Sequence, residues 1–305
     1  MKVSRNRSEK TVSGYKTMES KLVLGTIQLG MAYGINNQSG QPDKNDAFSI
    51  LDLAFTNGIT TFDTARAYGA SEEILGEWIQ ERGIADSVNV ITKMRPGASD
   101  VRQELHASLK ALHTKKLDSY MLHAAKDMYT DGIVDEMMTL KEEGVAHVGV
   151  SIYEPQEALD AAERGFECIQ VPYNVFDRRL DMNDFFAIAK KKRMTVFARS
   201  PFLQGLLLME PDVLPVHLSH ARPYLEQFRA IAFDYGMSPL QAAFAYVNAH
   251  HGIDHIVFGV ETPAQLEEIL GLANKERNEE CMQELKTAFA IVDETIVNPV
   301  LWKKR

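Results

Sequence analysis

The chain has 305 residues, 45% of them hydrophobic and 25% charged, with 19 Gly and 11 Pro; this excludes collagen-like, disordered and small disulfide-stapled classes and indicates an ordinary soluble globular protein with a substantial core. Lys and Arg number 33 against 42 Asp and Glu, for a formal charge of −9, which opposes phosphate backbones and anionic lipid, so the expected partners are small molecules rather than nucleic acid or membrane. The two cysteines, Cys168 and Cys281, have no CxxC or Cys/His clustering around them, so neither a disulfide framework nor structural zinc is expected, and a reducing cytoplasm fits.

Residues 1–20 carry five Lys or Arg and lack the apolar core of a secretory signal, so they are expected to form a basic, flexible arm. From Lys21 onward, short β-branched runs alternate with stretches of three-to-four-residue apolar spacing, the pattern of repeated strand–helix units. Strands are expected at 21–27, 60–65, 88–94, 117–124, 147–153, 168–174, 195–200 and 254–260. The helix after the first strand covers about 45–55, with Ala47, Ile50, Leu51 and Ala54 on one face and Asn57-Gly58 as its stop. Further helices are expected at 71–82, 99–113, 131–143, 155–164, 181–192, 221–235, 238–249 and 262–272.

Eight units spanning 21–272 match the ~250 residues of a single-domain (β/α)8 TIM barrel, an α/β fold. A doubly wound sheet is the competitor, but a dinucleotide-binding one usually carries a G-x-G-x-x-G turn after its first strand, and none occurs here. Residues 273–305 are expected to add a helix over about 278–294 and a tail packing on the barrel.

In a parallel barrel the chemistry sits where strands end. Asp63 closes the second strand, Tyr68 follows in its loop, Lys93 closes the third and His123 closes the fourth. Each alone has an ordinary structural explanation. Together they describe a general acid for carbonyl reduction: an ammonium beside a phenol lowers its pKa, a carboxylate holds the ammonium, and a neutral imidazole orients the carbonyl oxygen. His250, His251 and His255 precede the last strand, at the opposite face, and no metal site is expected.

The segment GITTFDTARAYGASEEILG (58–76), with ITKM (91–94) and MLHA (121–124) in the same order, resembles the aldo-keto reductase superfamily across nearly the whole barrel. The resemblance implies a metal-free enzyme that passes hydride from NAD(P)H to an aldehyde, ketone or sugar carbonyl, with Tyr68 as proton donor, Lys93 and Asp63 supporting it, and His123 on the substrate oxygen. It places Gly25, Thr26 and Ile27 near the nicotinamide and its ribose, with Asp63, and Ser151 and Gln170 on the carboxamide. In ARSPFLQGLL (198–207), Ser200, Phe202, Leu203 and Gly205 match a pyrophosphate loop. In FGVETPAQLEEIL (258–270), Gly259, Glu261, Thr262, Gln265 and Glu268 match the adenosine side.

Three residues depart from many relatives. Ile152 replaces an Asn, removing one carboxamide contact. Arg199 replaces an aromatic; it either stacks on the nicotinamide or forms a structural salt bridge. Glu261 replaces a basic residue that meets the 2′-phosphate, which leans the cofactor toward NADH or dual use, unless Lys275 or Arg277 swings in. For substrate, Tyr33, Asn36 and Asn37 in the first loop, together with Tyr68, His123 and a capping Trp302, are the candidates. A nucleotide-binding regulatory module with little turnover, on the same barrel, is the alternative reading, and a metal-dependent sugar isomerase is a more distant one.

Overall fold

The computed structural model describes residues 21–273, Lys275 and 278–302; the expected basic arm and Arg277 lie outside these. Its strands are β1 (Leu22–Gly25), β2 (Thr61–Asp63), β3 (Asn89–Met94), β4 (Leu117–Leu122), β5 (Val145–Ser151), β6 (Cys168–Pro172), β7 (Thr195–Arg199) and β8 (His255–Gly259). Each pairs in parallel with the next, and β8 returns to β1 with Val23 opposite Val257 and Gly25 opposite Gly259. The sheet therefore closes on itself as an eight-stranded barrel, and the open doubly wound alternative falls. Closure leaves no sheet edge unpaired.

Most helices begin and end where local chemistry dictates. Asp43 caps Lys44–Thr56 by accepting from the Asp46 N–H at 2.9 Å, and Asp100 caps Val101–Ala111 through Gln103. Ser71–Arg82 stops at Gly83, whose left-handed φ of 65° closes the last turn. Ser238 caps Pro239–Asn248, with Pro239 at its first position.

Three expected helices are shorter or broken. The 131–143 segment divides into Ile133–Thr139 and a tighter turn, Leu140–Glu143, that runs into Gly144. The 181–192 segment becomes Arg179–Met182 and Phe185–Lys192. The 278–294 segment ends as a helix at Ala288 and resumes at Glu294–Val297 under an Asp293 cap. Helix Glu279–Ala288 packs on Arg222–Asp234 and Pro239–Asn248, burying Cys281, Met282 and Leu285.

Inside the barrel, Val23, Ile91, Met121, Cys168, Phe197 and Val257 form a dry layer of their own. Gly149 completes it, because a Cβ there would lie 2.5 Å from Cys168 Sγ. A strand repeats its facing every two residues. The next inward positions, toward the strand ends, are thus Gly25, Lys93, His123, Ser151, Gln170, Arg199 and Gly259, and Asp63 ends β2 beside them. The apolar layer is the floor on which the polar layer stands.

Candidate active site

Above that floor opens a cavity of about 390 Å³. Asp63, Tyr68 and His123 lie in its wall, and Lys93 sits fully buried beneath. Lys93 Nζ donates to Asp63 Oδ1 at 2.6 Å and to the Thr64 carbonyl at 3.0 Å, and it lies 5.2 Å from the centroid of the Tyr68 ring. The Tyr68 and His123 rings meet edge to face, nearly perpendicular, with centroids 5.3 Å apart. Gln170 Nε2 donates to the same Asp63 Oδ1 at 2.8 Å, so one carboxylate oxygen organises both neighbours. A backbone bond from the Arg66 N–H to the Lys93 carbonyl, 3.0 Å, ties the Tyr68 loop to β3.

Burial sets the proton states. It pushes the Tyr68 phenol well above its ordinary value; Asp63 adds to the rise and Arg199 opposes it. The expected lowering of the phenol by Lys93 is therefore not the condition of the free protein: Lys93 spends its two hydrogen bonds on Asp63 and Thr64, and desolvation outweighs charge. Burial also draws the Lys93 ammonium below its usual range, against the pull of Asp63. His123 is lowered to about 3 by burial first, then by the Lys93 and Arg199 charges, so its imidazole is neutral.

Of the remaining expected residues, the cavity wall contains Gly25, Ile27, Ser151, Gln170, Arg199, Ser200, Phe202, Gly205, Gly259, Glu261, Gln265, Glu268 and Tyr33. Others do not reach it. Thr26 is fully buried, its hydroxyl donating to the Asp63 carbonyl at 2.9 Å and lying 2.6 Å from Ser71 Oγ, so it fastens β1 to β2. Leu203 is buried in the core cluster. Thr262 Oγ1 accepts from the Gln265 N–H at 3.3 Å at the start of helix Pro263–Ala273. Trp302 packs against the core, its indole donating to the Ile296 carbonyl at 3.1 Å. In the first loop Asn36 lines the cavity, whereas Asn37 shapes the loop through bonds to Tyr33 and Gly40.

Arg199 forms no salt bridge among the described residues. Its Nη2 donates to the Ile152 carbonyl at 2.9 Å and its guanidinium lies 4.2 Å from the centroid of the Tyr153 ring. The two departures at 152 and 199 are thus in contact with each other. His250 pairs with Asp181 at 3.3 Å and His255 stacks on Phe197, and no group of three metal-ligating side chains occurs among the described residues.

Three wall residues carry functional geometry that the sequence reading passed over. Tyr153 lies two residues beyond Ser151, so strand alternation signalled it. Gln28 lies on a single helical turn, Ile27–Gly30, that reads as the end of a strand. Gln204 accepts from the Ile35 N–H through its backbone carbonyl at 3.0 Å, inside a loop where Ser200, Leu203, Gln204 and Gly205 all take positive φ, 59°, 49°, 54° and 92°. Such conformations cost about 1–3 kcal/mol each at a non-glycine residue and gather where a ligand is held.

The site is suited to a long, polar, partly aromatic ligand. Two buried polar atoms in its wall, Gln28 Oε1 and His123 Nδ1, have no protein partner. At Gly259 a Cβ would sit 2.1 Å from Gln28 Oε1, so only glycine lets the amide lie across β8. Tyr68, Ser151, Gln170, the strained loop, Glu261 and Gln265 together line the cavity with hydrogen-bond donors and acceptors, which fits an extended nicotinamide dinucleotide.

Residues 21–289 match the family model described as "Aldo/keto reductase family". The chain is 26% identical over 315 residues to "Aldo-keto reductase YhdN" of Bacillus subtilis, covering 92% of each. It is also 26% identical over 289 residues to "Aldo-keto reductase str7" of Strobilurus tenacellus, covering 84% of each. In fold it superposes on aldo-keto reductase AKR11C1 from Bacillus halodurans with a TM-score of 0.74 at 22% identity, covering 91% of this chain and 95% of that one. With the barrel closed and this match running through eight strands and their helices, the chain belongs to the aldo/keto reductase family and is an NAD(P)-dependent oxidoreductase.

Proposed function

We propose that the protein reduces the carbonyl of a small aldehyde, ketone or sugar to the alcohol, with Tyr68 as the general acid. The observation that carries this is the buried Asp63–Lys93 pair at 2.6 Å under the Tyr68 ring, with a neutral His123 set edge to face with that ring. A reduced nicotinamide dinucleotide, when bound, supplies the hydride. Ser151 and the free Oε1 of Gln170 would hold its carboxamide, the Ser200–Gly205 loop its pyrophosphate, and Glu261, Gln265 and Glu268 its adenosine.

His123 orients the substrate carbonyl through an imidazole N–H, which a neutral ring supplies without adding a charge. Tyr68, kept protonated by its burial, gives its proton to the carbonyl oxygen as that oxygen gains charge. Lys93 then faces the phenolate, and Asp63 keeps the ammonium in position for it. The wall around the adenosine side presents two carboxylates, Glu261 and Glu268, and among the described residues no Lys or Arg. A 2′-phosphate would meet repulsion there, so NADH or dual use is favoured.

Fluorescence titration with NADH and NADPH, followed by a panel of sugars and simple aldehydes, tests the reading. Turnover of a carbonyl that Tyr68→Phe lowers by more than ~100-fold, with dinucleotide still bound, is the expected result. Binding without turnover of any carbonyl would instead support a regulatory module.

A further inference from the structure

The reacting end of the cavity carries a charge that proton transfer does not use. Arg199 is the one Lys or Arg in the cavity wall among the described residues. Lys93, below it, is matched by Asp63. Arg199 has no such match: its contacts are the Ile152 carbonyl at 2.9 Å and the face of Tyr153 at 4.2 Å, both uncharged, and among the described residues it forms no ion pair. Its field reaches both residues that grip the substrate oxygen, working downward on the pKa of Tyr68 and of His123.

A hydride donor has to lie within reach of a carbonyl held by Tyr68 and His123, and so at the Arg199 end of the cavity. Reduction moves two electrons and a hydrogen from the dihydronicotinamide to the carbonyl carbon. The C=O π pair takes the Tyr68 proton onto oxygen, and the ring passes from neutral to a unit positive charge. A fixed, uncompensated cation in a site of low dielectric raises the energy of the charged ring and leaves the neutral one alone.

Resting on the reading above, we infer that Arg199 makes the site selective for the reduced cofactor: it admits the neutral dihydronicotinamide and expels the cationic oxidised ring after turnover. An aromatic at this position would favour the cationic ring through its π face. Arg199 reverses that preference, and Tyr153 together with the Ile152 carbonyl holds the guanidinium in place without neutralising it. The device suits an enzyme that works in the reductive direction from a pool rich in oxidised cofactor.

The test is the ratio of dissociation constants for NAD⁺ and NADH, measured by isothermal titration at low ionic strength without substrate, in the wild-type protein, Arg199→Gln and Arg199→Lys. Gln keeps an amide donor but removes the charge together with the guanidinium plane over Tyr153; Lys retains the charge. The expected result is a ratio that falls by about tenfold or more in the Gln variant, through tighter NAD⁺ binding, and stays within about threefold of wild type in the Lys variant. An unchanged ratio overturns the inference, as does parallel weakening of both forms, the mark of a phosphate contact. Failure of wild type to bind either form would remove the proposed function itself, a result distinct from binding with an unaltered ratio.

Discussion

Asp63→Asn isolates a single charge. Lys93 Nζ and Gln170 Nε2 both donate to Asp63 Oδ1, at 2.6 and 2.8 Å, and an asparagine oxygen in that place accepts both bonds. What disappears is the negative charge opposite a fully buried ammonium. Removing one partner of a buried pair costs about 3–5 kcal/mol because the other charge is left uncompensated. Lys93 has an escape, since burial already draws its pKa down and Asp63 is what opposes the fall. In the variant the folded protein sheds this proton while the unfolded chain keeps it up to pH ~10.4.

Over that window the unfolded state binds one more proton, so the variant's stability rises with pH by about 1.4 kcal/mol per unit. Urea unfolding followed by the fluorescence of Trp78, which is fully buried, reads this directly. The expected outcome is a loss of about 3–5 kcal/mol at pH 7 that shrinks by roughly 2–3 kcal/mol at pH 9, with an unchanged m-value. A deficit under ~1 kcal/mol, or one equal at the two pH values, would refute the argument that the pair is held against desolvation.

Two further changes test the proton and cofactor chemistry. His123 is held to about 3, against ~6.5 unfolded, so between these values the unfolded chain carries the extra proton and stability falls as pH falls. Acid titration of wild type should show this slope, about 1 kcal/mol per pH unit after allowing for the partial exposure of His123, and His123→Gln should flatten it; parallel acid curves would sink the assignment. Glu261→Arg places a guanidinium where the adenosine ribose is proposed to lie, and should raise affinity for NADPH relative to NADH by about tenfold in a fluorescence titration. No change in that ratio would put the ribose elsewhere.

The parts of the site that were legible in the sequence are those fixed by strand arithmetic. Asp63, Lys93, His123, Ser151, Gln170, Arg199 and Gly259 stand at strand ends, and a period of two decides their facing once the strands are placed. Tyr153 obeys the same rule and was readable on that ground. Gln28 and Gln204 were not, because each belongs to irregular backbone. Gln28 sits on a four-residue turn, and Gln204 in a loop whose left-handed residues include Ser200 and Leu203, neither a glycine. Leu240 and Ile269 enter the wall from helices through packing across the barrel top, which no local pattern encodes. Thr26 is the converse case: its motif position suggests a ligand contact, and its hydroxyl is spent on the Asp63 carbonyl and Ser71. The break at Ala288 was hidden by apolar spacing that continues through Phe289 and Val292.

The same burial that stabilises the barrel also sets its chemistry. Val23, Ile91, Met121, Cys168, Phe197 and Val257 exclude water from the floor, and the polar layer one strand period above them inherits the low dielectric. That environment raises the Tyr68 phenol, lowers His123 and lowers Lys93, so acid, orienter and ammonium all shift toward their neutral forms from one cause. Only groups with a partner keep a charge cheaply there, which is why Asp63 takes bonds from two neighbours on one oxygen. Arg199 is the exception, a charge at the rim with uncharged contacts, and an exception of this kind has an energy to spend on whatever charge forms beside it. A polar substitution in the floor, such as Met121→Gln, would therefore alter the proton states above it without touching any residue of the site, and the His123 acid slope is where that change would be read.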